Sequence, residues 1–417
     1  MKNKNKHVFV ATIGTFLEWA EFSYYAYIAG LIATLFFPNL TSHMALVATF
    51  SVFALGYVFR PMGSLFFGYL GDKYGRRLAL QSSIMLMGVS SVLIGCLPSY
   101  QNIGTTAPIL LFLFRSIQGF AVSGEFNGSA IYLIEHDPKN PCRAGSWTGF
   151  ASALGMMFGS LMAILIYLPS MPDWAWRVPF LLGAISCFCA LYFRKNLSES
   201  PEFLTLKIEK LSNPLSLLFK HYKTSLAKAI LLVAAIGVYI YTMNVYYASH
   251  LAQYTSLTAA ETRLIITIGQ GLVVVFIAII ALFADRFDAR RIITLGFQGF
   301  FIAAPIAYFI PQTGSFTLIL LGQLGYALCN ALVGVPIFKI LNDMFPTQIR
   351  YSGVSIAWGG SMAIFGGTAP LVDHYLQYLL NTPIAPVLYI FLVTGLALLV
   401  LQKEKSYKIS LENLELG

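Results

Sequence analysis

The 417-residue chain is 57% hydrophobic and only 11% charged, with a mean hydropathy of +0.70. Globular domains carry about 25% charged residues, so a soluble fold is excluded and the composition is that of a polytopic membrane protein. The formal charge of +9 is not a nucleic-acid footprint, because most lysines and arginines fall in the N-terminal tail, alternate loops and the C-terminal tail. The other loops carry none, which is the positive-inside pattern. Five cysteines and six histidines are too dispersed for a disulfide scaffold or a metal set. Cys187 and Cys189 lie in an apolar run, where small thiols pack. Neither a metal nor a cofactor is expected.

The apolar runs predict an all-α fold of twelve spans, near 8–37, 44–70, 78–97, 107–134, 144–169, 176–194, 226–252, 262–284, 291–310, 315–341, 350–378 and 384–401. The first follows a basic tail but is too long for a signal peptide, and it holds two glutamates and no small-residue cleavage site. An even number of spans puts both tails on one side, and the charge pattern makes that side cytoplasmic. The longest loop, 195–225, divides the chain into a first half (1–194) and a second half (226–401). The tail 402–417 has no heptads.

The first span is about 30 residues, or about 45 Å as a helix. Glu21 falls near its middle. Glu18 and Glu21 are three apart and share a face, which Tyr25 continues. A carboxylate at mid-membrane costs about 2.5–3.5 kcal/mol on insertion scales. It must face a water-filled cavity, pair with a cation or take up a proton, and each option points to a transport pathway. The alternative is a structural polar residue bonded between helices.

Span two carries Arg60 ahead of a Pro-x-Gly and ends in G-x-x-x-D-K-x-G-R-R, from Gly68 through Asp72 and Gly75 to Arg76 and Arg77. Span eight ends similarly, with Asp285 before Arg290 and Arg291. An Asp at a span end and a basic cluster a turn later, at matching places in two six-span halves, is the pattern of an internally repeated, rocking transporter.

These residues resemble the metabolite:proton symporters of the major facilitator superfamily. Glu18-Trp19-Ala20-Glu21-Phe22 is similar to the E-W-x-D-F of that family's first helix, and Phe59-Arg60-Pro61-Met62-Gly63 to its R-P-x-G. Arg115, Gln118, Gly119, Gly124 and Glu125 match R-x-x-Q-G…G-G-E in helix four. Trp176-Arg177-Val178-Pro179-Phe180, Glu199-Ser200-Pro201, Phe345-Pro346-Thr347 with Arg350, and Gly366-Gly367-Thr368-Ala369-Pro370 follow in order. The resemblance covers about residues 10–375. It departs at Glu21, one methylene longer than the family's Asp, at Ser123 before Gly124, and at Trp358-Gly359-Gly360, all around the presumed cavity.

The resemblance implies a twelve-helix, two-half secondary transporter in the bacterial inner membrane. It would carry a small carboxylate or zwitterion with protons, and is taken to act as a monomer in the lipid bilayer. A uniporter or exchanger is the alternative, and an enzyme or receptor has no supporting motif. Glu21, with Glu18 and Glu125, is expected to couple protons. Arg115, Val122, Glu125 and Ser129 recur with Gln118 at helical spacing on span four. There Arg115 either meets a carboxylate-bearing solute or belongs to an internal ion-pair network. Arg60 is expected to neutralise one of the three glutamates or to contact the solute directly. Gln118, Tyr25, Tyr241 and Asn244 are further solute candidates, the last two sharing a face of span seven. Gly68, Asp72, Gly75, Arg76, Arg77 and Asp285 would form the gate. Lys339 and Asp343 are read as a local pair or Lys339 as snorkelling, and Asp373 as solvated.

Overall fold

The computed structural model describes residues 2–192, 198–205 and 213–403. Most of the expected tail and parts of the central linker lie outside the described residues, as do the Cys187 and Cys189 side chains. Among the described residues every regular element is helical. Among the described residues seven helices are long and apolar enough to cross a bilayer, and the other spans are shorter or interrupted helices lying end to end. Leu295, Ile302, Leu321 and Ile364 are among the large apolar side chains left exposed, as expected of helices that face lipid.

The expected spans are recovered, but several are broken. Span one is Lys2–Tyr27 followed by Ala29–Phe36, with a break at Ile28. Span two, Ser42–Val58 and Arg60–Lys73, breaks at Phe59, just before Pro61, a residue that favours a helix start over a helix interior. Span ten divides into Phe316–Gly334 and Ile337–Asp343 around Pro336. Spans three, four and five are Arg76–Gly95, Thr106–His136 and Pro141–Ile166. Span six is assembled from Ala175–Arg177, Val178–Leu181 and Gly183–Tyr192. The linker is not wholly irregular: Pro214–His221 is a helix, and span seven begins at Lys223.

Span seven contains a π-helical segment, Thr242–Tyr246, between Lys223–Tyr241 and Tyr247–Tyr254. Span eleven contains another, Met362–Gly366, between Arg350–Ser361 and Ala369–Leu380. Span eight, Ala259–Phe283, starts with a capping box: the Glu261 backbone N–H donates to Thr258 Oγ1 at 3.2 Å and the Thr258 N–H to Glu261 Oε2 at 2.8 Å. Spans nine and twelve are Ala289–Phe309 and Pro386–Lys403.

Span one lies along span five, where small residues bring backbones together. A Cβ on Gly155 would come within 2.4 Å of the Phe16 carbonyl oxygen, and one on Gly159 within 2.3 Å of that of Ala20. Two contacts join the first six spans to the last six most closely: span two against span eleven, and span five against span eight.

Candidate functional site

The Glu21 carboxylate is buried, 7% exposed as a residue. Ser91 of span three and Gln118 of span four both donate to it. The Gln118 amide nitrogen also donates to Ser91 Oγ at 2.9 Å, and the amide oxygen accepts from Arg115 Nη1 at 2.7 Å. A relay therefore runs from Arg115 through Gln118 to Glu21. The Arg115 guanidinium lies over the Tyr25 ring at 4.2 Å and near Phe22 at 5.4 Å, and within electrostatic reach of Glu21. The structure thus brings Glu21, Tyr25, Arg115 and Gln118 together in the interior of the first six spans.

Lower on the same faces, Ser83 donates to Glu125 at 3.4 Å. Ser129 exchanges hydroxyl contacts with Thr15 and Thr148, each at 3.1 Å. The helical stripe on span four therefore faces spans one, three and five. Glu18 is also buried, 2% exposed.

Arg60 departs from its expected role. No ion pair of Arg60 occurs among the described residues. Its guanidinium sits on rings instead, at 4.3 Å from the Tyr57 centroid, 4.8 Å from Phe22 and 5.8 Å from Trp19. Cation–π attraction of this kind strengthens when the groups are desolvated, and Arg60 is 3% exposed. The Tyr57 and Tyr241 hydroxyls meet at 2.5 Å, so this aromatic box bridges span two to span seven. Phe338 and Trp358 stack beside it with their rings 4.9 Å apart, and Phe126 meets Phe338 edge-on and Trp358 at a tilt.

Tyr241 and Asn244 do not share partners. The π segment starts between them, and Asn244 donates to Tyr326 and accepts from Gln270 at 2.6 Å. Lys339 and Asp343 form the local pair. Asp373 is fully buried at 0% exposure rather than solvated, because spans seven, nine and twelve cover it.

At the end of the bundle that carries the basic loops, two aspartates clasp opposite spans. Asp72 Oδ1 accepts the Tyr351 N–H at 3.0 Å and Oδ2 the Ser352 N–H at 2.8 Å, at the start of span eleven. Asp285 Oδ1 accepts the Cys142 N–H at 2.8 Å and Oδ2 the Arg143 N–H at 3.0 Å, at the start of span five. Both satisfy helix N-terminal donors that lack intrahelical partners and place negative charge at the positive end of the dipole. Gly68 permits the first clasp, since a Cβ there would lie 2.8 Å from Ser352 Cα. Gly75 turns the chain at φ +111°, where a side chain is disfavoured.

Arg76 is the hub of the Asp72 clasp. It donates to Asp72 Oδ1 at 3.0 Å, to Glu135 at 3.2 and 3.3 Å, and to the carbonyls of Gly71 and Thr347, each at 2.7 Å. Arg350 adds bonds to Glu135 at 2.9 Å and Glu202 at 2.5 Å. Glu199 accepts the N–H groups of Arg76 and Arg77 at 3.0 and 3.3 Å. Glu135, Glu199, Glu202 and Arg350 were not singled out from sequence as gate residues, although Glu199 and Arg350 lie inside the motif stretches.

A family model described as "Sugar (and other) transporter" matches residues 7–228. The proline/betaine transporter of Escherichia coli K12 is 33% identical over 94% of this chain and 82% of its own length. The putative proline/betaine transporter of Staphylococcus aureus COL is 32% identical over 96% of this chain and 88% of its own. Among solved structures, the proton:xylose symporter XylE bound to a bromodeoxyglucose superposes with a TM-score of 0.77 at 18% identity, covering 96% of this chain and 95% of that one. The human organic anion transporter MFSD10 gives 0.71 at 17% identity, over 96% of this chain and 99% of that one. The broken helices, the clasped ends and these likenesses agree: the chain belongs to the sugar (and other) transporter family and has the twelve-helix fold of the major facilitator superfamily.

Proposed function

We propose that the protein is a proton-coupled symporter of a small zwitterionic or anionic solute, working by alternating access in a bacterial plasma membrane. The basic end and both termini face the cytoplasm. The first six and last six spans are the two rocking units, joined by the linker 195–225, and the solute site lies between them at the aromatic box. The observation that carries this reading is the Arg115–Gln118–Glu21 relay. An ionised Glu21 accepts from Ser91 on one oxygen and Gln118 on the other, whereas a protonated one keeps one acceptor oxygen and turns the other into a donor. A proton loaded on the oxygen facing Gln118 loosens Gln118 and, through it, Arg115, which becomes available to a carboxylate as a fork of donors. The relatives named proline/betaine transporters support a zwitterionic solute.

The test uses liposomes loaded with a pH-sensitive dye and challenged with proline, glycine betaine, 2-oxoglutarate, citrate and shikimate in turn. Internal acidification on adding proline or betaine is the expected result. Acidification by the dicarboxylates alone would replace the zwitterion reading, and solute uptake without acidification would refute proton coupling. Glu21→Gln is expected to abolish pH-driven accumulation while leaving solute exchange at a substantial fraction of wild type. Full accumulation in that variant would remove Glu21 from the mechanism.

A further inference from the structure

The last six spans hold a carboxylate that the relay does not use. Asp373 lies on Ala369–Leu380 of span eleven and is 0% exposed. The groups that face it are the Thr242 hydroxyl and the Tyr246 ring from span seven, Tyr308 from span nine and Tyr389 from span twelve. On its own helix, Gln377 accepts from Tyr246 at 2.5 Å and donates to the Tyr254 hydroxyl at 2.8 Å. His250 borders the cluster through the Tyr308 ring, at 4.5 Å between centroids. His374 next along the helix is exposed. Among the described residues no Lys or Arg pairs with Asp373.

Neither carboxyl oxygen of Asp373 has a hydrogen-bond partner among the described residues, and neither has the Thr242 hydroxyl beside it. An ionised carboxylate so placed is an uncompensated buried charge, and groups in that position neutralise rather than bear the desolvation cost. A protonated carboxyl costs far less and supplies a donor that Thr242 can accept. The location adds a conformational element. Thr242 opens the π segment of span seven, and its carbonyl accepts from Tyr308 at 3.0 Å. The π segment of span eleven, Met362–Gly366, lies just ahead of the Asp373 helix on the same rod. A Cβ on Gly366 would touch the Tyr241 ring at 3.1 Å. Asp373 thus lies on a helix that packs against one locally displaced hydrogen-bond ladder, Thr242–Tyr246, and follows the other on its own span, the kind that mark functional bends.

We propose that Asp373 is a second proton-binding carboxyl, protonated in this conformation and titrating when spans seven and eleven shift about their π segments. The site stands on the last six spans alone and does not depend on the role of Glu21. Its titration admits a proton at the end of the bundle away from the Asp72 and Asp285 clasps.

The experiment is pH-difference infrared spectroscopy of the full-length protein in lipid, which reads protonated carboxyl groups without any solute. A protonated-carboxyl band lost in Asp373→Asn and retained in Glu21→Gln is expected. Thr242→Val should shift that band, since it removes the acceptor. A spectrum unchanged by Asp373→Asn would overturn the proposal. If that variant does not fold, Asp373→Glu keeps the acid and should move the band, and an unmoved band would overturn it equally. Sodium chloride, compared with choline chloride at fixed pH, should leave the band in place. Its loss in sodium would mean a cation site and not a proton site.

Discussion

Asp72 and Asp285 perform the same local task at corresponding places in the chain, but they are not equally supported. Each carboxylate takes two backbone N–H donors from the first turn of a span in the opposite set of six. Asp72 is backed by Arg76, itself tied to Glu135 and, through it, to Arg350 and Glu202. Asp285 is only half-buried, and its helix-end neighbour Asp288 caps its own span by accepting from Arg290 at 2.9 Å. One seam is therefore held by a buried charge network and the other by a simple cap. The internal repeat thus preserves geometry while placing most of the charge stabilisation on one seam.

Arg76→Ala is expected to have the largest effect on the two seams. It leaves Asp72 and Glu135 buried without their shared cation, and removing one partner of a buried ion pair costs about 3–5 kcal/mol. The expected outcome is a large drop in thermal midpoint in detergent and loss of transport. Asp72→Asn comes next. Trading two charge-assisted bonds for weaker neutral ones is expected to cost about 2 kcal/mol. With a single cysteine introduced by Ser352→Cys in a chain otherwise free of cysteine, thiol labelling should rise more than tenfold, since about 1.4 kcal/mol is a factor of ten. Asp285→Asn should be mildest, about 1 kcal/mol, read as a fivefold or smaller rise in labelling of Cys142, which is buried against that clasp. Equal effects of the two Asn substitutions would show that the Arg76 network adds nothing to the seam.

The spans were legible because lipid demands apolar runs whatever the tertiary contacts are. The breaks were not all legible. Pro61 and Pro336 signal theirs, and Gly30 follows the break at Ile28, but no glycine or proline lies in the π segment Thr242–Tyr246, which only packing against neighbours selects. Within the site, Glu21, Gln118 and Arg115 were legible from helical spacing and position in the span. The cation–π partners of Arg60 were not legible, because its charge points to carboxylates and the rings around it are brought together only by packing. Glu135 and Arg350 look like ordinary loop charges until span four is brought against the start of span eleven, 215 positions apart in sequence. Asp373 was misread as solvated because it lies toward a span end. Gln377, one turn on and also buried, was the clue that this face continues inward.

The π segments have a consequence for evolutionary comparison. The Gly367 N–H reaches back five residues to the Met362 carbonyl at 2.7 Å, so this turn holds one residue more than an α-turn. Each residue advances a helix by about 100°. A homologue lacking that residue would align with a single-position gap inside a membrane helix, where gaps are normally forbidden, and would still present the same faces beyond it. Deletion of one residue within Met362–Gly366 or Thr242–Tyr246 should accordingly be tolerated far better than deletion of a neighbour one turn away.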